Sequence, residues 1–230
     1  MTRSFRNYRV ADLSQKLRIG GYRPLDVMVA GSTGAGKSTF INALFGQSVA
    51  KVGYGVDPET QRIDSYRLNE NFRIWDTPGL GDGVDIDRSH KRKITDLLLD
   101  TWKCDCETFG LVDLAVIVIE GAHRDLGSCY ALLKDVIVPN IDRDRILAVV
   151  NQADVAMKGA HWNAFRNEPD DALKCFLYDQ ALSVKRRIAE ATGVNVKTPV
   201  CFSAETGYNV NAVYDFFVDN IPLRRRKICA

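Results

Sequence analysis

The chain has 230 residues, 46% of them apolar and 26% charged, enough to bury one full core with short extensions but not to suggest a second large domain. Its 31 Lys and Arg nearly balance 29 Asp and Glu, so no global field selects nucleic acid or membrane as a partner. No apolar run reaches the about 20 residues of a spanning helix, and Met1–Arg6 lacks the apolar stretch of a secretory signal, so a cytoplasmic chain is expected. The cysteines at 104, 106, 129, 175, 201 and 229 lack zinc or redox spacing and read as free thiols, with Cys129 and Cys201 as small core residues. Cys229 lies second from the end, where a prenylation box would need it fourth.

Residues 1–24 are basic, with Val10, Leu13 and Leu17 on one helical face, and read as a helical extension that stops at Gly20, Gly21 and Pro24. Leu25–Ala30 is a buried-strand run, and Lys37–Phe45 carries apolar residues at helical spacing. Between them, Gly31–Ser38 satisfies every fixed position of G-x-x-x-x-G-K-[ST], the loop whose backbone N–H groups turn inward around phosphate oxygens. Ser32, Thr33, Gly34, Ala35, Gly36, Lys37, Ser38 and Thr39 are therefore the candidate phosphate cradle. Lys37 supplies its point charge, and the Ser38 hydroxyl is placed to ligate Mg2+.

Residues 46–61 are Gly-rich and irregular, and Ile63–Leu68 and Phe72–Trp75 form a hairpin around Asn69-Glu70-Asn71. The chain then alternates. A helix over about 94–102 precedes a strand Leu114–Ile119, a helix over 130–136 precedes a strand Ile146–Val150, and a long connection leads to a helix over 171–191. A strand Pro199–Phe202 and a helix Val210–Asn220 close the pattern. Such alternation implies an α/β fold with a mainly parallel sheet of six strands, one of them antiparallel, and helices on both faces. In such sheets ligands bind beyond the carboxyl ends of the strands.

Asp76-Thr77-Pro78-Gly79 follows one such end: the aspartate suits a magnesium shell, and the Gly79 amide can approach a terminal phosphate because no side chain intervenes. Asn151-Gln152-Ala153-Asp154 and Ser203-Ala204-Glu205 follow two others. In this order the four motifs resemble those of the translation-factor-related P-loop GTPases, and within them the Era-like branch, over about residues 25–220.

The resemblance implies a G domain that binds GTP and GDP with Mg2+ and hydrolyses GTP. It implies that Asp154 accepts hydrogen bonds from guanine N1 and N2, that Asn151 braces the loop and contacts N7, and that the Ala204 N–H meets O6, with Gln152, Ser203 and Glu205 beside them. An aspartate there would meet repulsion from the acceptor N1 of adenine. It further implies Ser38, Thr60 and Asp76 as the magnesium set and Lys37, Thr60 and Gly79 as the groups acting on the terminal phosphate. Gly53 and Gly55 would let the first switch, with Thr60, order and disorder.

This sequence departs from the pattern at four places. Gln152 replaces the lysine that packs over the base, implying weaker binding with selectivity kept. Leu80 stands where Ras-like relatives carry the glutamine that orients water, implying slow intrinsic hydrolysis helped by an activating protein, a homodimer contact or another side chain. Gly34 replaces the asparagine of members that use potassium. For the first-switch threonine, only Thr60 is on offer.

Other patterns carry less. His123-Arg124-Asp125-Leu126 opens like a kinase catalytic loop but lacks the asparagine that should follow, and Arg124 is a candidate charge donor. Asp82, Asp85 and Asp87 followed by Arg88–Lys93 lack calcium-loop spacing and read as a mobile, solvated second switch. Leu223–Lys227 is a dense basic run that would contact RNA, the ribosome or an anionic membrane if it acts at all, and otherwise a solvated helix end. The expected organisation is therefore an N-terminal helical extension over 1–24, a G domain over 25–220 and a basic tail over 221–230. Era-like members with RNA partners carry a further RNA-binding domain, for which almost nothing remains after the last helix. The function so implied is a slow GTP-driven molecular switch. The alternatives are a septin- or dynamin-like module that self-assembles with GTP at a membrane or scaffold, and an ATPase using the same loop.

Overall fold

The computed structural model describes residues 5–22, 24–50, 63–104, 106–121 and 127–228. Thr60 and the first switch, together with His123 and Arg124, lie outside the described residues, as does Cys229. The elements in chain order are α1 (Val10–Gly20), β1 (Leu25–Gly31), α2 (Lys37–Phe45), β2 (Asp64–Asn69), β3 (Phe72–Asp76), α3 (Val84–Leu99), β4 (Thr101–Cys104), β5 (Glu107–Gly110) and β6 (Leu114–Glu120). There follow α4 (Gly127–Leu132), β7 (Ile146–Asn151), β8 (Trp162–Asn163), β9 (Glu168–Pro169), α5 (Asp171–Thr192), β10 (Val200–Cys201) and α6 (Val210–Asp219).

Six strands form one sheet in the order β10-β7-β6-β1-β3-β2, every pair parallel except β2 with β3. The α/β class and strand count expected from the sequence are met. The strands are apolar on both faces because helices cover both, and the period of two sorts the side chains. On one face Val27, Val29, Leu114, Val116, Val118, Leu147 and Val149 pack with Leu13 and Leu17 of α1, Phe40 and Leu44 of α2, and Tyr214 and Phe217 of α6. On the other, Met28, Ala30, Ala115, Ile117, Ala148 and Val150 meet Ile94 and Leu98 of α3, Leu132 of α4, and Val184 and Ile188 of α5. The N-terminal helix is thus part of the main core, with Leu13 and Leu17 fully enclosed.

The structure corrects three readings. The charged stretch over 82–93 is largely exposed, as expected, but it is helical and buries His90: α3 begins at Val84, ten residues before the expected start. Its buried side chains His90, Ile94, Leu97 and Leu98 follow helical spacing, and the run of lysine and arginine covers the outer face. The helix also ends earlier, at Leu99, because the chain from Thr101 pairs with Glu107–Gly110 as a separate hairpin. The third correction concerns the basic tail.

Arg225 and Arg226 are buried, not solvated, and the tail bridges to β5 where Lys227 lies opposite Phe109, with Gly110 N donating to Arg226 O (3.0 Å) and Ile228 N to Thr108 O (2.8 Å). The Arg225 guanidinium lies 4.1 Å from the Trp102 ring centroid and reaches two fully buried carboxylates, Asp113 (3.4 Å) and Asp26 (3.8 Å). Arg226 donates to the carbonyls of Leu98, at the end of α3, and of Asn140 (both 2.6 Å), so one cation caps two chain segments that close off helices. Gly110 is required beside it, since a Cβ there would overlap the Arg226 guanidinium. At the other terminus Arg9 is held by Asp12, Asp215 and Asp219. Arg225, Arg226 and Arg9 are therefore consumed internally and do not form the basic RNA or membrane contact that the sequence offered.

Burial pushes the Asp113 carboxyl up to about 7, against the attraction of Arg225 and Arg145 and with the charge of Asp26 adding to the rise. A group whose folded pKa is raised binds its proton more tightly in the native than in the unfolded chain, so its stabilisation is complete near pH 4 and is lost as pH rises through about 7. Unfolding free energy measured by denaturant titration is expected to fall across this window, by up to about 1.4 kcal/mol per pH unit from this group. Asp113→Asn should remove that share of the slope, and an unchanged slope would contradict the assignment.

Candidate functional site

Four loops meet at the carboxyl ends of the sheet, and each follows a strand. The loop after β1 is built on Gly34 and Gly36, both at positive φ (81° and 82°), the left-handed turns that a phosphate-binding loop needs. Gly36 has a second reason to lack a side chain: a Cβ would overlap the Asn151 amide. Ser32, Thr33 and Ala35 complete the loop, and Thr39 lies half-buried in the first turn of α2. Lys37 is enclosed, its ammonium donating to the carbonyls of Ser32 (2.9 Å) and Gly31 (3.3 Å). Burial lowers its pKa to about 8, although the charges of Asp76 and Asp82 pull it back up.

Asp76 ends β3 beside α2. Its Oδ2 accepts from Ser38 Oγ at 3.0 Å, while Oδ1 is buried with no hydrogen-bond partner among the described residues. Burial raises its pKa to about 6. An enclosed, unpaired carboxylate oxygen next to a hydroxyl is a donor set that suits a hard divalent cation such as Mg2+.

The segment after Asp76 lies against the phosphate loop. Leu80 O accepts from Thr33 N (2.9 Å) and Leu80 N donates to Gly31 O (3.4 Å). A Cβ on Gly79 would come within 2.6 Å of Thr33 Cα and N, so only glycine fits at this approach. The Leu80 side chain turns away into the core, 2% exposed. Two features here escaped the sequence reading. His90 of α3, buried, donates from Nδ1 to Gly79 O at 2.7 Å, since a carbonyl can only accept. Thr33 Oγ1 donates to Asp82 Oδ2 at 2.7 Å. The i, i+4, i+7, i+8 spacing of His90 with Ile94, Leu97 and Leu98 would have placed His90 on the inner face of its helix. No sequence signal pairs Thr33 with Asp82.

Asn151 ends β7 and ties the loops together. Its Nδ2 donates to Ala35 O and its Oδ1 accepts from Ala204 N, both at 2.9 Å and both buried. Gln152, at φ 65°, reaches Gly34 O at 3.3 Å. Asp154 is half-buried at the mouth, and Glu205 is exposed beyond the buried Ser203 and Ala204. The long connection expected after β7 contains a small hairpin, β8 with β9, that grips this last loop: Trp162 meets Tyr208 edge-on at 5.3 Å, and Asn167 Nδ2 donates to Thr206 O at 2.9 Å. The structure thus brings together the groups around Lys37, Ser38, Asp76 and Gly79 and, through Asn151, those around Asp154 and Ala204.

Residues 26–172, more than half of the chain, match the family described as 50S ribosome-binding GTPase. Among curated proteins the chain is similar to the GTPase HflX of Treponema denticola, 25% identical over 191 residues that make up 80% of this chain and 41% of that protein. It is also similar to the probable GTP-binding protein EngB of Geobacillus kaustophilus, 25% identical over 141 residues, 61% of this chain and 68% of that one. The chain therefore spans under half the length of HflX. Of solved structures, Toc33 from Arabidopsis thaliana in complex with GDP and Mg2+ shares the fold over 97% of this chain and 94% of its own, with a TM-score of 0.63 at 17% identity. Era from Aquifex aeolicus bound to GDP and AlF4- covers 87% of this chain and 58% of its own, with a TM-score of 0.56 at 14% identity. With its phosphate loop intact and the family's pattern matched over residues 26–172, the chain belongs to the 50S ribosome-binding GTPase family.

Proposed function

We propose that this chain binds GTP with Mg2+ and hydrolyses it to GDP, acting as a slow molecular switch, with residues 25–220 as the nucleotide-binding unit. The observation that carries this reading is the Asn151 brace: one buried side chain fixes the phosphate loop through Ala35 and the expected base loop through Ala204, so both halves of a guanine nucleotide find their sites in one rigid arrangement. Lys37 and the loop amides of Gly34 and Gly36 hold the β,γ-phosphates, and Gly79, packed against Thr33, meets the terminal phosphate. Asp154 reads the guanine edge, with Gln152, Ser203, Ala204 and Glu205 around it.

Ser38 and Asp76 hold Mg2+, with Thr60 joining from the first switch. The ion, when bound, neutralises charge on the β,γ-phosphates. What the chain itself contributes is fixed electrostatics: backbone donors and a buried cation held in place before the reaction, so that little reorganisation is left to the chemical step. The buried Leu80 offers no group to a water, which favours slow turnover in isolation. A second reading, nucleotide-dependent self-association, is favoured by the end-to-end likeness to Toc33, of which one solved form is described as a dimerization-deficient mutant. Mass in solution with GDP and with a non-hydrolysable GTP analogue separates the two: the second reading requires a shift to dimer with the analogue.

Titration with labelled nucleotides is expected to show at least about a hundredfold preference for GTP over ATP, as sites that hydrogen-bond a base edge achieve. Asp154→Asn should lose GTP affinity by a similar factor and gain affinity for xanthine nucleotides, whereas an unchanged preference would remove Asp154 from this role. A proton-linked effect follows from Lys37. With a ligand-free pKa near 8, the amine must regain its proton when a polyphosphate binds above that pH. GDP affinity should then weaken by up to about tenfold per pH unit just above pH 8, below the range in which guanine N1 itself loses the proton that Asp154 accepts. A Lys37→Met variant, binding weakly, should show no such slope, and equal slopes in both would contradict it.

A further inference from the structure

The loop after β3 leaves open which side chain handles the attacking water. Between Gly79 and Gly83 the sequence is Gly-Leu-Gly-Asp-Gly, so only two residues carry side chains. Leu80 is buried in the core and its backbone is spent on the phosphate loop. Asp82 is the other, and its carboxylate faces that loop, accepting from Thr33 Oγ1 at 2.7 Å. Resting on the GTPase reading above, we propose that Asp82 is a catalytic residue that positions the attacking water and accepts its proton.

Several features hold Asp82 where this role needs it. Its neighbours Gly81 and Gly83 adopt φ of 115° and 120°, conformations that side-chain-bearing residues rarely take, so the loop's path is fixed by its glycines. Asp87 of α3 accepts from the amides of both Gly81 (2.9 Å) and Asp82 (3.2 Å), and His90 holds Gly79 one step upstream. A carboxylate on a loop pinned at both ends is pre-positioned, and the Thr33 hydroxyl orients it. The negative charge of Asp82 also acts on Lys37, the cation assigned to the β,γ-phosphates.

The step balances without any further reactant. The water oxygen bonds to the γ-phosphorus while the bond from that phosphorus to the β,γ-bridging oxygen breaks, its electron pair leaving with GDP. One water proton passes to the Asp82 carboxylate, which returns it to solvent as phosphate departs. General bases of this kind contribute about 10²–10⁴-fold. The charge has an opposite effect on binding, because a carboxylate near a triphosphate repels it.

The test is single-turnover GTP hydrolysis by the whole chain, beside the affinities of fluorescent GDP and of a fluorescent non-hydrolysable GTP analogue. Asp82→Asn is expected to slow hydrolysis about a hundredfold or more, with GDP affinity within threefold of wild type and analogue affinity unchanged or tighter. Asp82→Glu, which keeps the base, should recover at least about a tenth of the rate. Hydrolysis by Asp82→Asn within threefold of wild type would overturn the proposal. So would a loss of hydrolysis matched by a loss of both affinities and a lowered melting temperature, which marks a structural role. A wild-type chain that binds neither nucleotide would instead overturn the GTPase reading itself, and this assignment with it.

Discussion

The site depends on one side chain, Asn151. Standing at the end of β7, it bonds the phosphate loop at Ala35 and the loop after β10 at Ala204, while its own backbone carbonyl accepts from Gly121 at the end of β6 (3.0 Å). Three loops from three strands therefore share one buried hub. Its neighbours are shaped around it: at Gly36 and Gly121 a Cβ would strike Asn151 atoms, and Gly36 also needs its positive φ of 82°. Buried hydrogen bonds of this kind cost about 1–3 kcal/mol each to leave unmade, which keeps the loops from drifting apart when no ligand joins them.

At the carboxyl end of the sheet polar groups are left under-satisfied, with Asp76 Oδ1 unpaired and Lys37 turned back on loop carbonyls, as suits a place that waits for charge from outside. At the amino end Arg225 stands between Asp26 and Asp113 as a buried ion pair in which Asp26 Oδ2, Asp113 Oδ1 and Arg225 Nε make no hydrogen bond among the described residues, and Arg145 donates to Arg224 O at 2.7 Å. The helix α3 spans both: His90 near its start holds Gly79, and the Leu98 carbonyl at its end is held by Arg226.

Much of this was legible in the sequence because the physics is local. A loop that must turn its amides inward needs glycine at Gly34 and Gly36, a strand covered on both faces must read as an unbroken apolar run, and each motif had to follow a strand. What escaped depended on tertiary contact. The charged run before Ile94 looks solvated until the apolar inner face, with His90 on it, is set against the sheet. Arginines at 225 and 226 look solvated because their partners, Asp26, Asp113 and the Leu98 carbonyl, lie about a hundred or more residues away in the chain. The small hairpin from Trp162 to Pro169 was hidden by strands of two residues each, too short for any period to register.

The most direct test of this account is the GDP affinity of Asn151→Ala, read by calorimetry on protein whose melting curve shows it folded. With the brace gone, the phosphate loop and the base loop lose their common anchor, and affinity should fall by at least about a hundredfold, as the loss of two buried hydrogen bonds implies. An affinity within twofold of wild type would contradict the claim that one buried amide assembles the site.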